Sequence, residues 1–167
     1  DKGANANANA TATLFCANVG DARAVLPLGG GARALRLSRD FKPFDDDEYE
    51  RVQALGGFVS HVGCWRTMGI LAMSRAIGDL FLKPYVSAEP EVRSIAIDEK
   101  DEFVVLASDG IFDVFDNEQV VRIAAVGRSR WQMSPRNLKA MHMWMRMAVG
   151  KMYVRMTFIC ESACEGG

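Results

Sequence analysis

The run Glu102–Ala107 follows a charged cluster, turns apolar, and ends abruptly at Ser108-Asp109-Gly110. A short continuous apolar stretch bounded by turn residues predicts a strand covered on both faces. That demand constrains the fold more than any other part of the chain. The same segment is where chemistry could sit. A carboxylate at the end of a buried strand can project into a cleft, because the following glycine lets the backbone turn sharply and leaves room for a ligand. Hard divalent cations take oxygen donors of this kind. Asp-Gly pairs also serve as plain turns. Asp109 with Gly110 therefore reads as either a ligand position or a simple turn.

Around this strand the pattern alternates between sheet and helix. Thr11–Ala17, Ala22–Leu28 and Arg33–Leu37 are expected strands, separated by Asn18-Val19-Gly20-Asp21 and by Gly29-Gly30-Gly31. Their succession predicts a meander. The glycine triplet lacks the Lys-Ser/Thr of a phosphate loop and precedes a strand, so it predicts a hairpin turn. The Ala/Asn alternation of residues 4–10 predicts a loop. A helix is expected from Asp45 to Gly57, with Asp45 as cap and Asp46, Asp47 and Glu48 favoured in its first turn by the helix dipole. Tyr49, Val52 and Leu55 are expected to form its apolar face, and Gly56-Gly57 its stop. Phe58–Val62 predicts a short strand. Residues 69–82 show no clean period. Asp116 and Gln119 form a capping-box pair that opens another helix, with Val120, Val121, Ile123 and Ala124 on its apolar side.

The C-terminal segment has its own character. Residues 1–126 hold 13 Lys and Arg against 19 Asp and Glu; residues 127–167 hold 7 against 2. An acidic front of net −6 is thus joined to a basic tail of net +5, and seven of the nine Met lie in that tail. Ser134 and Pro135 predict the start of a helix running to Val149, with Met141, Trp144, Met145 and Ala148 as its stripe and Gly150 as its stop. Met152–Cys160 predicts a strand. The expected division is 1–126 for the main body and 127–167 for a divergent tail packed on the same domain.

Composition excludes several classes. The 167 residues are 49% hydrophobic and 25% charged, which suits one globular domain or a piece of a larger one. A net charge of −1 argues against a general nucleic-acid binder. No apolar run reaches 18 residues, so no membrane-spanning helix is expected. Cys16, Cys64, Cys160 and Cys164 form no paired metal motif, and reduced thiols place the chain inside the cell, in cytoplasm or nucleus.

Six blocks, taken in order, resemble the metal-dependent protein phosphatases of type 2C. Ala17 through Leu26 is similar to the family's Asn-x-Gly-Asp-Ser-Arg hairpin. Leu37-Ser38-Arg39-Asp40-Phe41-Lys42-Pro43 is similar to its Asp-His-Lys-Pro segment, with Phe41 in place of His. Glu48 through Val59 resembles the Glu-x-x-Arg-(Val/Ile)…Gly-Gly-x-Val helix and strand. Gly69 through Asp79 resembles the Leu-Ala-Val-Ser-Arg-Ala-x-Gly-Asp block. Ala88-Glu89-Pro90-Glu91-Val92 and Leu106 through Val114 complete the series.

The resemblance implies an α+β fold: a β-sandwich flanked by helices in α-β-β-α layers, of which the N-terminal half would be missing here. It implies hydrolysis of phosphoserine and phosphothreonine in phosphoprotein substrates, with two Mg²⁺ or Mn²⁺ ions activating a water and offsetting the charge of the transition state. Asp109 matches a metal-ligand position. Asp21 and Arg23 are expected to fix a hairpin. Arg75 and Asp79 are expected to pair with each other. Residues 44–68 fall where the family carries a flap, which makes His61 and Arg66 candidate substrate contacts. The family's Asp-Gly-His-Gly-Gly run is absent, and no carboxylate occurs between Glu118 and Glu161, where its last metal motif belongs. One Asp cannot hold two hard cations, so the isolated chain is expected to lack turnover.

Two other readings stand beside the enzyme. One is a non-catalytic relative that binds phosphoproteins or partners through the same scaffold. The other concerns residues 134–156: a basic, Met-rich helix would suit calmodulin or an anionic surface, or would simply pack as a core helix.

Overall fold

A computed structural model describes residues 12–29, 33–97, 100–101, 103–130, 141–146 and 153–158. The expected loop at 4–10, the helix start at Ser134-Pro135, the stop at Gly150, and Cys160 with Cys164 lie outside these residues. The chain divides into two compact units: Asp1–Cys16, Arg23–Leu37 and Arg93–Gly167 form the first, Ala17–Ala22 and Ser38–Val92 the second.

The first unit is built on strand alternation. β1 (Ala12–Asn18) pairs with β6 (Glu91–Ile97), and β2 (Arg23–Leu28) lies between β3 (Arg33–Arg36) and β7 (Val105–Ala107). Successive side chains of a strand face opposite ways. On one face of β2, Ala24 and Leu26 pack with Leu37 against Leu14 and Cys16 of β1 and Ile95 and Ile97 of β6. On the other, Val25 packs with Val105 against Ile111, Val120, Val121 and Ala124. Those last residues belong to α2 (Asp109–Phe112) and α3 (Asn117–Arg130). The result is sheet on sheet with a helical layer outside, as expected of a helix-flanked β-sandwich.

Details follow from the sequence. β2 and β3 form an antiparallel hairpin, with Leu28 opposite Arg33 across the glycine-containing turn. Pro27 sits in β2 beyond Val25, the last residue there to pair with β7, so its missing N–H weakens no ladder on that side. α3 opens with a reciprocal capping box: the Gln119 N–H donates to Asp116 Oδ1 at 2.7 Å, and the Asp116 N–H donates to Gln119 Oε1 at 2.9 Å.

In the first unit three expectations fail. The meander fails because β1 pairs with β6 and not with β2. Buried Gly20, at φ +113°, turns the chain out of one sheet before β2 enters the other. Full cover of the apolar run fails at Leu106, which is 41% exposed. Val104, two residues earlier, packs against Ala24, Leu26 and Leu37. The tail helix fails at Met141–Arg146, which form β8, antiparallel to β9 (Tyr153–Phe158). Met141, Met143 and Met145 also alternate at period two, and pairing with a β-branched, aromatic partner strand selects that period over the helical one.

The second unit holds α1 (Asp46–Ala54), the hairpin of β4 (Val59–Val62) and β5 (Cys64–Thr67), and a 3₁₀ turn at Leu80–Leu82. Gly56, at φ +82°, ends α1 as expected. Asp45 occupies the cap position, but its carboxylate accepts from Arg39 at 2.9 Å and makes no helix cap. Of the expected apolar face only Val52 is buried; Tyr49 and Leu55 are exposed. Glu48, one turn before Val52, is buried in their place. A small cluster of Ala76, Leu82 and Val86 supplies further core.

Candidate functional site

Asp109 lies where the sequence places it. β7 ends at Ala107, Ser108 is extended, and Asp109 is the first residue of α2. Ile111 anchors this turn in the core, leaving Asp109 and Gly110 half-buried at the end of the strand. Among the described residues no group of three or more His, Cys, Asp or Glu side chains is placed to hold a metal ion. The donor set around Asp109 therefore does not fit a pair of hard cations, each of which takes six or more oxygen donors.

Arg23 supports the same unit. Its Nη1 donates to Asn117 Oδ1 at 2.9 Å, and its guanidinium lies 4.4 Å from the centre of the Phe112 ring. β2 is thereby tied to the turn that carries Asp109 and to the start of α3.

The other expected site residues belong to the second unit. Asp21 accepts a hydrogen bond from Lys42 Nζ at 2.6 Å, and Asn18 Nδ2 donates to the Arg39 carbonyl at 2.7 Å. The expected hairpin is therefore absent, since β1 and β2 do not pair; Asp21 instead fastens the turn between two sheets to the Arg39–Lys42 segment. Arg39 also donates to Asp47 Oδ2 at 2.6 Å. That bond outweighs burial and pulls the Asp47 carboxyl down to about 2. His61 and Arg66 lie on opposite strands of the β4–β5 hairpin. His61 faces Trp65, ring edge to ring face, at 5.2 Å. Arg66 Nη1 donates to the Ile70 carbonyl at 2.6 Å. His61, Val62, Cys64 and Trp65 are all exposed around Gly63.

Arg75 does not pair with Asp79. Its Nη2 and Nε donate to Glu48 Oε1 at 2.6 and 3.0 Å, and its Nη1 donates to the Glu89 carbonyl at 3.0 Å. Arg51 takes the second carboxylate oxygen, with Nη2 2.8 Å from Glu48 Oε2. Arg51 also donates to the carbonyls of Ser74, at 2.9 Å, and Tyr85, at 3.1 Å. Glu48 is 1% exposed. Burial opposes its charge, and the hydrogen bonds from Arg75 and Arg51 outweigh that cost, so its carboxyl lies below the usual range. Asp79 stands apart in a left-handed conformation, at φ 47°.

Glu48 is the residue that first-turn reasoning passed over. A carboxylate there suits the helix dipole on any face. Its signals were the Glu-x-x-Arg spacing, which puts Glu48 and Arg51 on one face, and its position four residues before Val52. Phe41, which stands where the resembling family carries His, is fully buried. The Arg75 guanidinium lies 4.1 Å from its ring centre and that of Arg39 5.3 Å. The replacement fills an interior stacking position.

Known proteins are similar to this chain in sequence and in fold. A family model described as Protein phosphatase 2C matches residues 5–150. The chain is 54% identical over 110 residues to probable protein phosphatase 2C 71 of Arabidopsis thaliana, covering 66% of this chain and 24% of that protein. It is 52% identical over 108 residues to probable protein phosphatase 2C 45 of Oryza sativa subsp. japonica, covering 65% and 38%. Among solved structures, a phosphatase from Toxoplasma gondii aligns with TM-score 0.63 at 31% identity, over 72% of this chain and 39% of that one. A sex-determining protein of C. elegans aligns with TM-score 0.63 at 32% identity, over 66% and 27%. The chain thus spans about a quarter to two-fifths of these relatives. With a match across most of its length, the chain belongs to the protein phosphatase 2C family.

Proposed function

We propose that this chain is part of a metal-dependent protein phosphatase that hydrolyses phosphoserine and phosphothreonine in intracellular phosphoproteins. The single observation that carries the reading is Asp109. It stands half-buried at the end of β7, ahead of Gly110, inside the segment that matches the family. Its carboxylate is suited to be one oxygen donor to Mg²⁺ or Mn²⁺. The remaining donors have to come from outside the described residues, so no catalytic step is assigned to this chain alone. In the hairpin, His61 is exposed and available to a substrate; Arg66 is committed to Ile70.

A non-catalytic, phosphoprotein-binding relative is the second reading, favoured by the lack of any carboxylate between Glu118 and Glu161. The Phe41 replacement lends it nothing, because Phe41 is interior packing. The calmodulin or anionic-surface reading of residues 134–156 rests on a helix, whereas Met141–Arg146 form a strand; calcium-dependent binding of a 134–156 peptide to calmodulin decides it. No helix among the described residues is long and apolar enough to cross a membrane.

The test is Mn²⁺-dependent phosphate release from a phosphothreonine peptide. The 167-residue chain should give none, whereas the full-length protein should be active. Asp109→Ala should lower full-length turnover by roughly a hundredfold or more, the loss of a metal-held nucleophile. Clear turnover by the short chain, abolished by Asp109→Ala, would refute the incomplete site. An inactive full-length protein would favour the binding module.

A further inference from the structure

The β4–β5 hairpin has only two strands and an exposed, partly apolar tip, so it gains little order from its own pairing. Its orientation has to come from its two roots. Both roots lead back to one buried carboxylate.

The first root is Gly57, which joins α1 to β4. The Gly57 N–H donates to the Val52 carbonyl at 3.0 Å. The Tyr85 ring seats directly on Gly57: a Cβ at that position would lie 2.5 Å from Tyr85 Cδ1. Tyr85 is held through its carbonyl by Arg51, and Arg51 is held by Glu48. The second root is Thr67, the last residue of β5, which is fully buried. Thr67 Oγ1 donates to the Met73 carbonyl at 2.9 Å. The next carbonyl, that of Ser74, accepts from the same Arg51 side chain. Glu48 also grips Arg75, the residue after Ser74, so the segment receiving the second root is fixed from both sides.

We infer that Glu48 is the positioning residue of the β4–β5 hairpin, acting through Arg51 on both of its roots. Glu48 itself is buried and touches no substrate. The inference rests on the phosphatase reading only for what the hairpin faces; the mechanical link stands on geometry within one unit.

Hydrogen exchange on the full 167-residue chain tests the link. Glu48→Gln keeps the volume and removes the charge that draws in both guanidiniums. Exchange across Val59–Thr67 should rise at least about tenfold, a local opening, with β2 and β7 unchanged. Should Glu48→Gln unfold the whole unit, two milder variants decide. Gly57→Ala displaces Tyr85 and should loosen β4, whereas Thr67→Val removes only the Met73 bond and should loosen β5. Hairpin exchange within twofold of the parent in all folded variants would overturn the inference. So would an equal rise throughout residues 38–92 in Gly57→Ala or Thr67→Val. In the full-length protein, Glu48→Gln should raise KM for a phosphopeptide while leaving kcat for p-nitrophenyl phosphate unchanged. A loosened hairpin with unchanged KM would count against a substrate-facing hairpin and leave the link standing.

Discussion

The two units solve the same problem with different forces. The first places apolar side chains on both faces of β2 and covers them with a second sheet and a helix. The second has a small apolar cluster and builds the rest of its interior around Glu48, a charged group taken out of water. Apolar burial is non-directional and grows with area. A buried carboxylate is tolerable only while each oxygen keeps its donors. The first unit should therefore give way gradually to substitution, and the second abruptly.

The largest expected effect tests that contrast directly. Glu48→Ala leaves Arg51 and Arg75 unpaired and should destabilise the second unit by about 3–5 kcal/mol. Urea unfolding followed by hydrogen exchange should locate the loss in residues 38–92. An equal loss in β2 and α3 would break the comparison. The same contrast has a pH signature. The folded carboxyl of Glu48 lies below its ordinary value of 4.5. Its contribution is therefore fully present at neutral pH and is lost as pH falls below 4.5 through the lowered folded value. Acid should open the second unit before the first, as monitored by exchange between pH 6 and 3.

Leu37→Ala comes next. Leu37 is buried in the sandwich cluster, and the cavity should cost about 2–4 kcal/mol. This loss should be the same at pH 7 and pH 4, because no titrating group is involved; a strong pH dependence in thermal melts would contradict an apolar core. The smallest effect is expected of Asp116→Ala. It removes half of the capping box of α3 and should cost about 1 kcal/mol. The shift in urea midpoint should be confined to the first unit.

Much of the fold was legible. Strand ends around β2 and β3, the stop of α1 and the cap of α3 come from local chemistry: glycine at positive φ, a reciprocal Asp/Gln pair, β-branched runs. Pairing partners were less legible. Nothing in β1 says that its neighbour is β6, about 75 residues away, because register is set by which faces can be buried together. The Met-rich tail carried two periods at once, 3.5 and 2, and only a partner strand could choose between them.

The site divides in the same way. Asp109 was visible because its position depends on its immediate neighbours, an apolar strand before it and a glycine after it. Glu48 and Arg75 were visible as motif residues, but their partnership was not. They are 27 residues apart, and Arg75 has a carboxylate four residues away in Asp79, the natural local candidate. The sequence by itself determined most of the elements, the family and the position of Asp109 at the end of a strand. Tertiary structure alone decided that β1 joins β6, that Phe41 is interior, and that a carboxylate in the first turn of a helix becomes the centre of a core. The physical reason is range: backbone preference and capping act over three or four residues, whereas satisfying a buried charge requires donors brought together by the folded chain.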